Sequence, residues 1–257
     1  MDLLIGTLAL RPYVFGFLAA FLLAGSVDLG WRRTLVFGAW VGPVAWLSEF
    51  TSTRYGVPFG LYHYTGSTRG QELFLADVPF MDCLSFTFLA YASFCLARAT
   101  LRDRPPSVPA LVALSGTLMM LLDVVIDPVA VRGDRWFLGR IFYYPEGGVY
   151  FGVPLSNFLG WAVVGMVGVA GYLGWTRWFD TAHGQTALRG FDCHGTQVWP
   201  GIALYYAVLA FNLAVTSWIS EWWLLGVGAG VHAATAMALW TLHQRPAARL
   251  GLEKQRA

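Results

Sequence analysis

Charge is scarce in this chain. Only 12% of its 257 residues are Asp, Glu, Lys or Arg, where a soluble domain carries about 25%. With 56% hydrophobic residues and a mean hydropathy of +0.54, that shortage excludes an ordinary water-soluble globule and puts most of the chain in lipid. Cysteine is sparse too. Cys83 and Cys95 share one apolar run but not neighbouring helical turns, and Cys193 falls in a polar loop, so neither a disulfide framework nor a metal site is expected. The histidines are equally scattered: His183, His194 and His243 flank apolar ends, His63 lies in a loop and His232 alone is deep. The net charge of +2 comes from residues beside the apolar runs, and no basic stripe points to nucleic acid. The first ten residues lack a basic leader segment, so the first apolar run itself is the expected insertion signal.

Apolar runs are what the chain has in abundance. Seven approach the roughly 20 residues that span a bilayer: 13–29, 35–48, 78–97, 110–126, 153–175, 200–219 and 222–242. The expected fold is all-α, a polytopic bundle of seven transmembrane helices forming one domain over residues 1–257, multi-pass in the cytoplasmic membrane. The loops after the odd-numbered runs and the C-terminal tail hold eleven Lys/Arg, among them Arg32, Arg33, Arg98, Arg102, Arg104 and Lys254, against six on the other side. Basic residues stay on the cytoplasmic side, so the N-terminus is expected outside and the C-terminus inside. The second and fourth runs are short unless their helices continue to about Thr53 and Ala130, which would carry Glu49, Asp123 and Asp127 into the membrane slab.

Ten of the fifteen carboxylates fall on the outer side. An ionisable group in hydrocarbon costs roughly 2.5–3.5 kcal/mol and usually faces a protein interior where it has a task. Asp123 and Asp127, four residues apart, share one helical face. Like charges so close in a low dielectric do not both ionise easily, so one is expected to keep its proton near neutral pH and to be able to act as a general acid. The bland alternative is a helix ending at Asp127, before Pro128. Asp77 reads as an N-cap, with Pro79 in the first turn of the third helix, whereas Asp82, one turn inside, should face a partner. Asn157 opens the fifth span, where an amide can hold a water or orient a carboxyl, and Glu221 ends on the same face. The outer loops 51–77 and 128–152 are dense in Gly, Tyr, Phe and Trp; they are expected to fold back over the bundle, with an interfacial aromatic belt as the alternative role.

Taken together, several stretches resemble a known family: Glu49, the run Gly56-Val57-Pro58-Phe59-Gly60-Leu61-Tyr62-His63-Tyr64, then Asp77-Val78-Pro79, Asp123, Asp127-Pro128, Trp136, and Tyr150-Phe151-Gly152-Val153-Pro154 followed by Asn157, Gly160 and Trp161. This pattern is similar to the CruF-type carotenoid biosynthesis proteins, the carotenoid 1,2-hydratases, closely over residues 46–161 and in character beyond. That family includes bisanhydrobacterioruberin hydratases and is similar to flavin-independent lycopene cyclases. The resemblance implies an acyclic carotenoid end group protonated at C2, a tertiary cation at C1, and capture by water, with no cofactor and no metal.

Chemistry of that kind needs a protonated carboxyl, a second group to position water, and π faces for the cation, whose contacts contribute about 0.5–2 kcal/mol each. The expected assignment is a proton shared by Asp123 and Asp127, water aligned by Glu49 or Asp82 with Asn157, and substrate-facing rings from Tyr62, Tyr64, Trp136, Tyr150 and Trp161. Expected partners are a carotenoid substrate reaching the site laterally between helices, water, membrane lipid and other carotenoid-pathway enzymes. An end-group cyclase and a non-catalytic carotenoid or isoprenoid carrier are the rival readings; a carrier would need the aromatic groove but not the carboxylates.

Overall fold

Each of the seven apolar runs forms a helix in the computed structural model, which describes residues 2–102, 107–182 and 197–244. Arg104, His183, Cys193, His194 and Lys254 lie outside the described residues. An unforeseen short helix, α1 (Leu3–Leu10), precedes α2 (Pro12–Asp28) and meets it at 91°. The others are α3 (Trp31–Tyr55), α4 (Phe80–Thr100), α5 (Val108–Ala130), α6 (Leu155–Ala182), α7 (Trp199–Trp218) and α8 (Trp222–Gln244). Five of them are long and apolar enough to cross a membrane, six when the bent α1–α2 pair counts as one span. α3 has the length, 25 residues, but is less apolar, carrying Arg32, Arg33, Glu49 and Arg54. The chain is an all-α bundle with the character of a multi-pass membrane protein.

Both short runs lengthen, as the span of a bilayer required. α3 continues past Glu49 to Tyr55, and α5 runs through Pro128 to Ala130. The helix-end reading of Asp127 is therefore overturned: a proline in the last turn still leaves the carboxyl inside the helix. Asp77 is corrected as well. α4 begins at Phe80 with Pro79 at its cap position, and Asp77, in left-handed backbone, pairs with Arg54 and Arg69 instead. The hydrogen bond from Arg69 holds its exposed carboxyl below the usual carboxylate range.

α4 runs through the middle of the bundle, packed against α2, α3, α5 and α7, and is buried nearly all round, as a helix apolar on every side should be. α5 and α6 form the most extensive helix pairing. It is possible because both present glycine at the crossing: a Cβ on Gly116 would stand 2.4 Å from the Ala162 carbonyl oxygen, and one on Gly165 would lie 3.0 Å from Gly116 Cα. Small residues let membrane helices approach closely enough for van der Waals packing to hold them. At the end of the bundle away from the carboxylate cluster, two ion pairs tie the helices. Arg98, read from sequence as a flanking cation, is buried in α4 and bonds Asp28 at 2.7 Å, while Arg33 bonds Asp180 at 2.7 Å.

The two long loops fold over the bundle, as their composition suggested. Each contributes a two-residue strand to one antiparallel pair, β1 (His63–Tyr64) with β4 (Phe142–Tyr143); β2 (Phe74–Leu75) and β3 (Val78–Pro79) form a second. What clamps this cover is Arg11, at the α1–α2 bend. Its guanidinium is buried, bonds Glu72 of the first loop at 3.4 Å and donates to the Leu138 carbonyl of the second at 2.9 Å. Thr7 of α1 accepts the Leu73 N–H at 2.8 Å. Removing one member of a buried pair strands the other charge, at a cost of about 3–5 kcal/mol. Arg11→Met should lower thermal stability in detergent by that order and expose loop 51–77 to limited proteolysis; wild-type melting and cleavage would show that the clamp is not needed.

Candidate active site

Because α3 and α5 end, and α4 and α6 begin, on the same side of the bundle, their polar residues converge under the loop cover. They line a chamber with a cavity volume of about 130 Å³. Glu49, Asp82, Asp127 and Asn157 line it directly, as do Tyr62, Tyr64, Trp136 and Trp161. Asp123 does not; wholly buried, it sits behind the wall, linked to the chamber through its neighbours. Tyr150 is also placed elsewhere, packing edge-on against Phe151 and Phe158.

The polar groups form two clusters. In the first, the Asn157 amide nitrogen donates to Asp123 Oδ2 and to Asp127 Oδ2, each at 2.7 Å, so both of its N–H groups are spent on holding the carboxyls together. Asp127 Oδ2 also accepts from the Tyr144 hydroxyl at 3.3 Å, with the Trp161 indole beside it. Asp123 Oδ1 is buried with no hydrogen-bond partner among the described residues. In the second cluster the Tyr64 hydroxyl donates to Glu49 Oε2 at 2.7 Å and lies against the Asp82 carboxyl. Burial pushes the phenols of Tyr64 and Tyr144 well above the ordinary range, and the adjacent carboxyls push them further, so both remain donors at any physiological pH. Between the clusters stands Tyr62, its ring 5.5 Å from that of Tyr64 and 5.7 Å from that of Tyr144. Its hydroxyl is buried and has no partner among the described residues.

Apolar side chains make up the rest. Phe86 stacks on Trp161 at 4.2 Å with the planes 8° apart, Phe59 tilts against both, and Leu89 and Met81 add to the lining. Tyr13 and Phe17 of α2, Phe88 of α4 and Phe211 of α7 form a second aromatic group. Glu221 stays outside, paired with Arg132 at 3.3 Å and with Arg135. Among the described residues no group of three or more His, Cys, Asp and Glu is arranged to hold a metal ion.

Sequence reasoning missed Tyr144, the α2 aromatics and Asn212, whose amide also lines the chamber. Asn212 carried a usable signal, a lone amide inside an apolar span. Tyr144 lay in a loop already marked as aromatic, and nothing in the sequence separates Tyr13 or Phe17 from rings that merely pack.

The site is an aromatic-walled chamber in a bundle of apolar helices, with protonatable groups gathered in one part of it. Residues 3–235 match the family of carotenoid biosynthesis proteins, and the chain belongs to that family. It is similar to bisanhydrobacterioruberin hydratase of Haloarcula japonica, 30% identical over 201 residues, which cover 75% of this chain and 58% of that protein. The match thus spans less than two thirds of that relative's length. No solved structure matches the chain.

The Asn157 bridge is the contact most open to test. Asn157→Leu keeps the branched shape of the side chain, though with bulkier methyl groups, and leaves two buried carboxyls without their shared donor, a penalty of about 1–3 kcal/mol. Its unfolding midpoint in detergent should fall accordingly, and an unchanged midpoint would mean the bridge carries no net stabilisation.

Proposed function

We propose that this protein is a carotenoid 1,2-hydratase, adding water across the terminal C1=C2 double bond of a carotenoid end group in the cytoplasmic membrane. The observation that carries the reading is the pairing of an aromatic chamber with two carboxyl clusters, each of which needs a proton to be held together. Two carboxyls bridged by one amide are stable side by side when they share a hydrogen. In the Tyr64 cluster the single phenolic hydrogen is committed to Glu49, so the contact with Asp82 is favourable when Asp82 itself supplies one.

Asp127 is the member of its pair that faces the chamber, and it delivers the proton to C2. The carboxylate left behind is met by the donors already aimed at it from Asn157, Tyr144 and Trp161, preorganised stabilisation of charge as it develops. Positive charge then resides at C1, a tertiary centre, facing the rings of Phe86, Trp161 and Tyr62, where each cation–π contact contributes about 0.5–2 kcal/mol or more with water excluded. Water held at Tyr64, Glu49 and Asp82 attacks C1, and its proton passes to that carboxyl cluster. One C–H and one C–O bond form, the π bond is lost, and the proton count of the site is unchanged. No electrons change hands, so the reaction calls for no redox cofactor. Asp123 acts through Asp127 as a positioning and proton-sharing residue. The hydratase name of the Haloarcula japonica relative supports the same class of chemistry.

Expression in a bacterial host that accumulates an acyclic carotenoid tests this by chromatography and mass of the pigments. The expected product is heavier by one water for each end that reacts. Asp127→Asn should lower conversion by about 10²–10⁴-fold, the usual worth of a general acid, with the protein still present in membranes. A product of unchanged mass would mean cyclisation and overturn hydration, and full conversion by Asp127→Asn would overturn the assignment of the acid.

A further inference from the structure

A second cavity touches the chamber. It is a groove between α2 and α7 on the outside of the bundle, and Tyr13 and Phe17 line both spaces. Along α2 its remaining lining recurs at helical spacing on one face, and the wall is low because the residues are small: Gly16 and Ala20 from α2, Ala203 and Ala207 from α7. A Cβ built on Gly16 meets no heavy atom within 4 Å, so the space beside it is open rather than filled by a neighbour. Gly16, Ala203 and Ala207 are all exposed on the bundle surface that faces lipid. From Tyr13 to Ala24 the groove follows α2 for about 16 Å, at 1.5 Å rise per residue. It leads from the loop-covered end of the bundle toward the end tied by Asp28 and Arg98.

We propose that this groove is the seat of the polyene chain that trails from the reacting end group, and the lateral way by which it reaches the chamber. The inference rests on the carotenoid reading above and adds where the rest of the molecule lies. The chamber is closed over by loops on one side and crowded by rings, so only an end group fits among its carboxyls; a stiff, extended hydrocarbon attached to that group has to leave the bundle somewhere. The α2–α7 seam is where the lining of the chamber continues to the outside of the bundle, at Tyr13 and Phe17. Their rings pack on Phe211 across the seam at 5.1 and 5.7 Å, so they must part for the chain to pass and form its gate. Its lining is devoid of charge and matches a hydrocarbon rod, which offers van der Waals contact and nothing to hydrogen-bond.

The test fills the groove without touching the carboxyl clusters. Gly16→Phe and, on the facing helix, Ala203→Phe are compared with Gly230→Phe, a bulky residue introduced at another lipid-facing glycine with open space around it. Each full-length variant is produced in the carotenoid-accumulating host, purified in mild detergent, and assayed for pigment retained per protein, for product formed, and for oligomeric state. Both groove variants should retain about tenfold less pigment, or lower still, as expected when a hydrophobic site loses room for its ligand, while Gly230→Phe behaves as wild type. Undiminished pigment in the groove variants, as when the groove holds only a lipid acyl chain, would overturn the proposal. So would an equal fall in Gly230→Phe, or a shift in oligomeric state confined to the groove variants, which would assign the seam to a second copy of the chain. Asp127→Asn keeps the two readings apart: it should retain pigment and lose conversion. Full conversion by that variant would sink the catalytic assignment while leaving the pigment comparison to decide the groove.

Discussion

A carboxyl group buried in an apolar bundle is held there by its partners, and the amide of Asn157 gripping both Asp123 and Asp127 at 2.7 Å is the contact on which the chamber depends. Without such a donor, two acidic groups one turn apart would repel each other and draw water into the helix pair. The bond in turn requires α5 and α6 to lie close together. Glycines at Gly116 and Gly165 provide that, since a side chain on either would force the backbones apart. Packing between two helices and chemistry at their ends are therefore one problem, solved by small residues at mid-span and polar ones near the chamber.

The loop cover has the same logic. Electrostatic interactions strengthen as water is excluded, and the paired strands β1 and β4 seat Tyr62, Tyr64 and Tyr144 over the carboxyls. Arg11 secures that cover from beneath, spending its buried charge on Glu72 and on the Leu138 carbonyl. A tertiary carbocation in such a space would be met by rings on one side and by a water held on carboxyls and phenols on the other. In the proposed reaction that division of labour, an apolar wall for the cation and a polar one for the nucleophile, would separate hydration from a proton transfer that ends in ring closure.

Much of the fold was legible because its signals are periodic or compositional. The seven apolar runs became helices, and the length needed to span a bilayer anticipated the longer α3 and α5, which take in Glu49, Asp123 and Asp127. The aromatic loops announced their covering role by composition alone. Less visible were contacts between distant segments. Arg98 reads in sequence as a cation at a membrane edge, yet it lies buried on Asp28. Asp77 has the look of a helix cap, yet its arginine partners come from α3 and from its own loop. Tyr150 stands in a stretch that carries the family resemblance, but its ring packs on Phe151 and Phe158, while Tyr144 lines the chamber and bonds Asp127.

By itself, then, the amino-acid order determined the solvent this protein lives in, the helices it forms and the types of group available for proton transfer. Those follow from hydropathy and from a four-residue spacing, which are local properties. Only the tertiary structure decided that Asp127 faces the chamber while Asp123 stands behind it, that Asn157 holds the pair, and that α2 and α7 leave a groove between them. Each of these is a choice between two faces of a helix or two directions of a loop, and it is made by the neighbours packed against it, which a linear pattern does not specify.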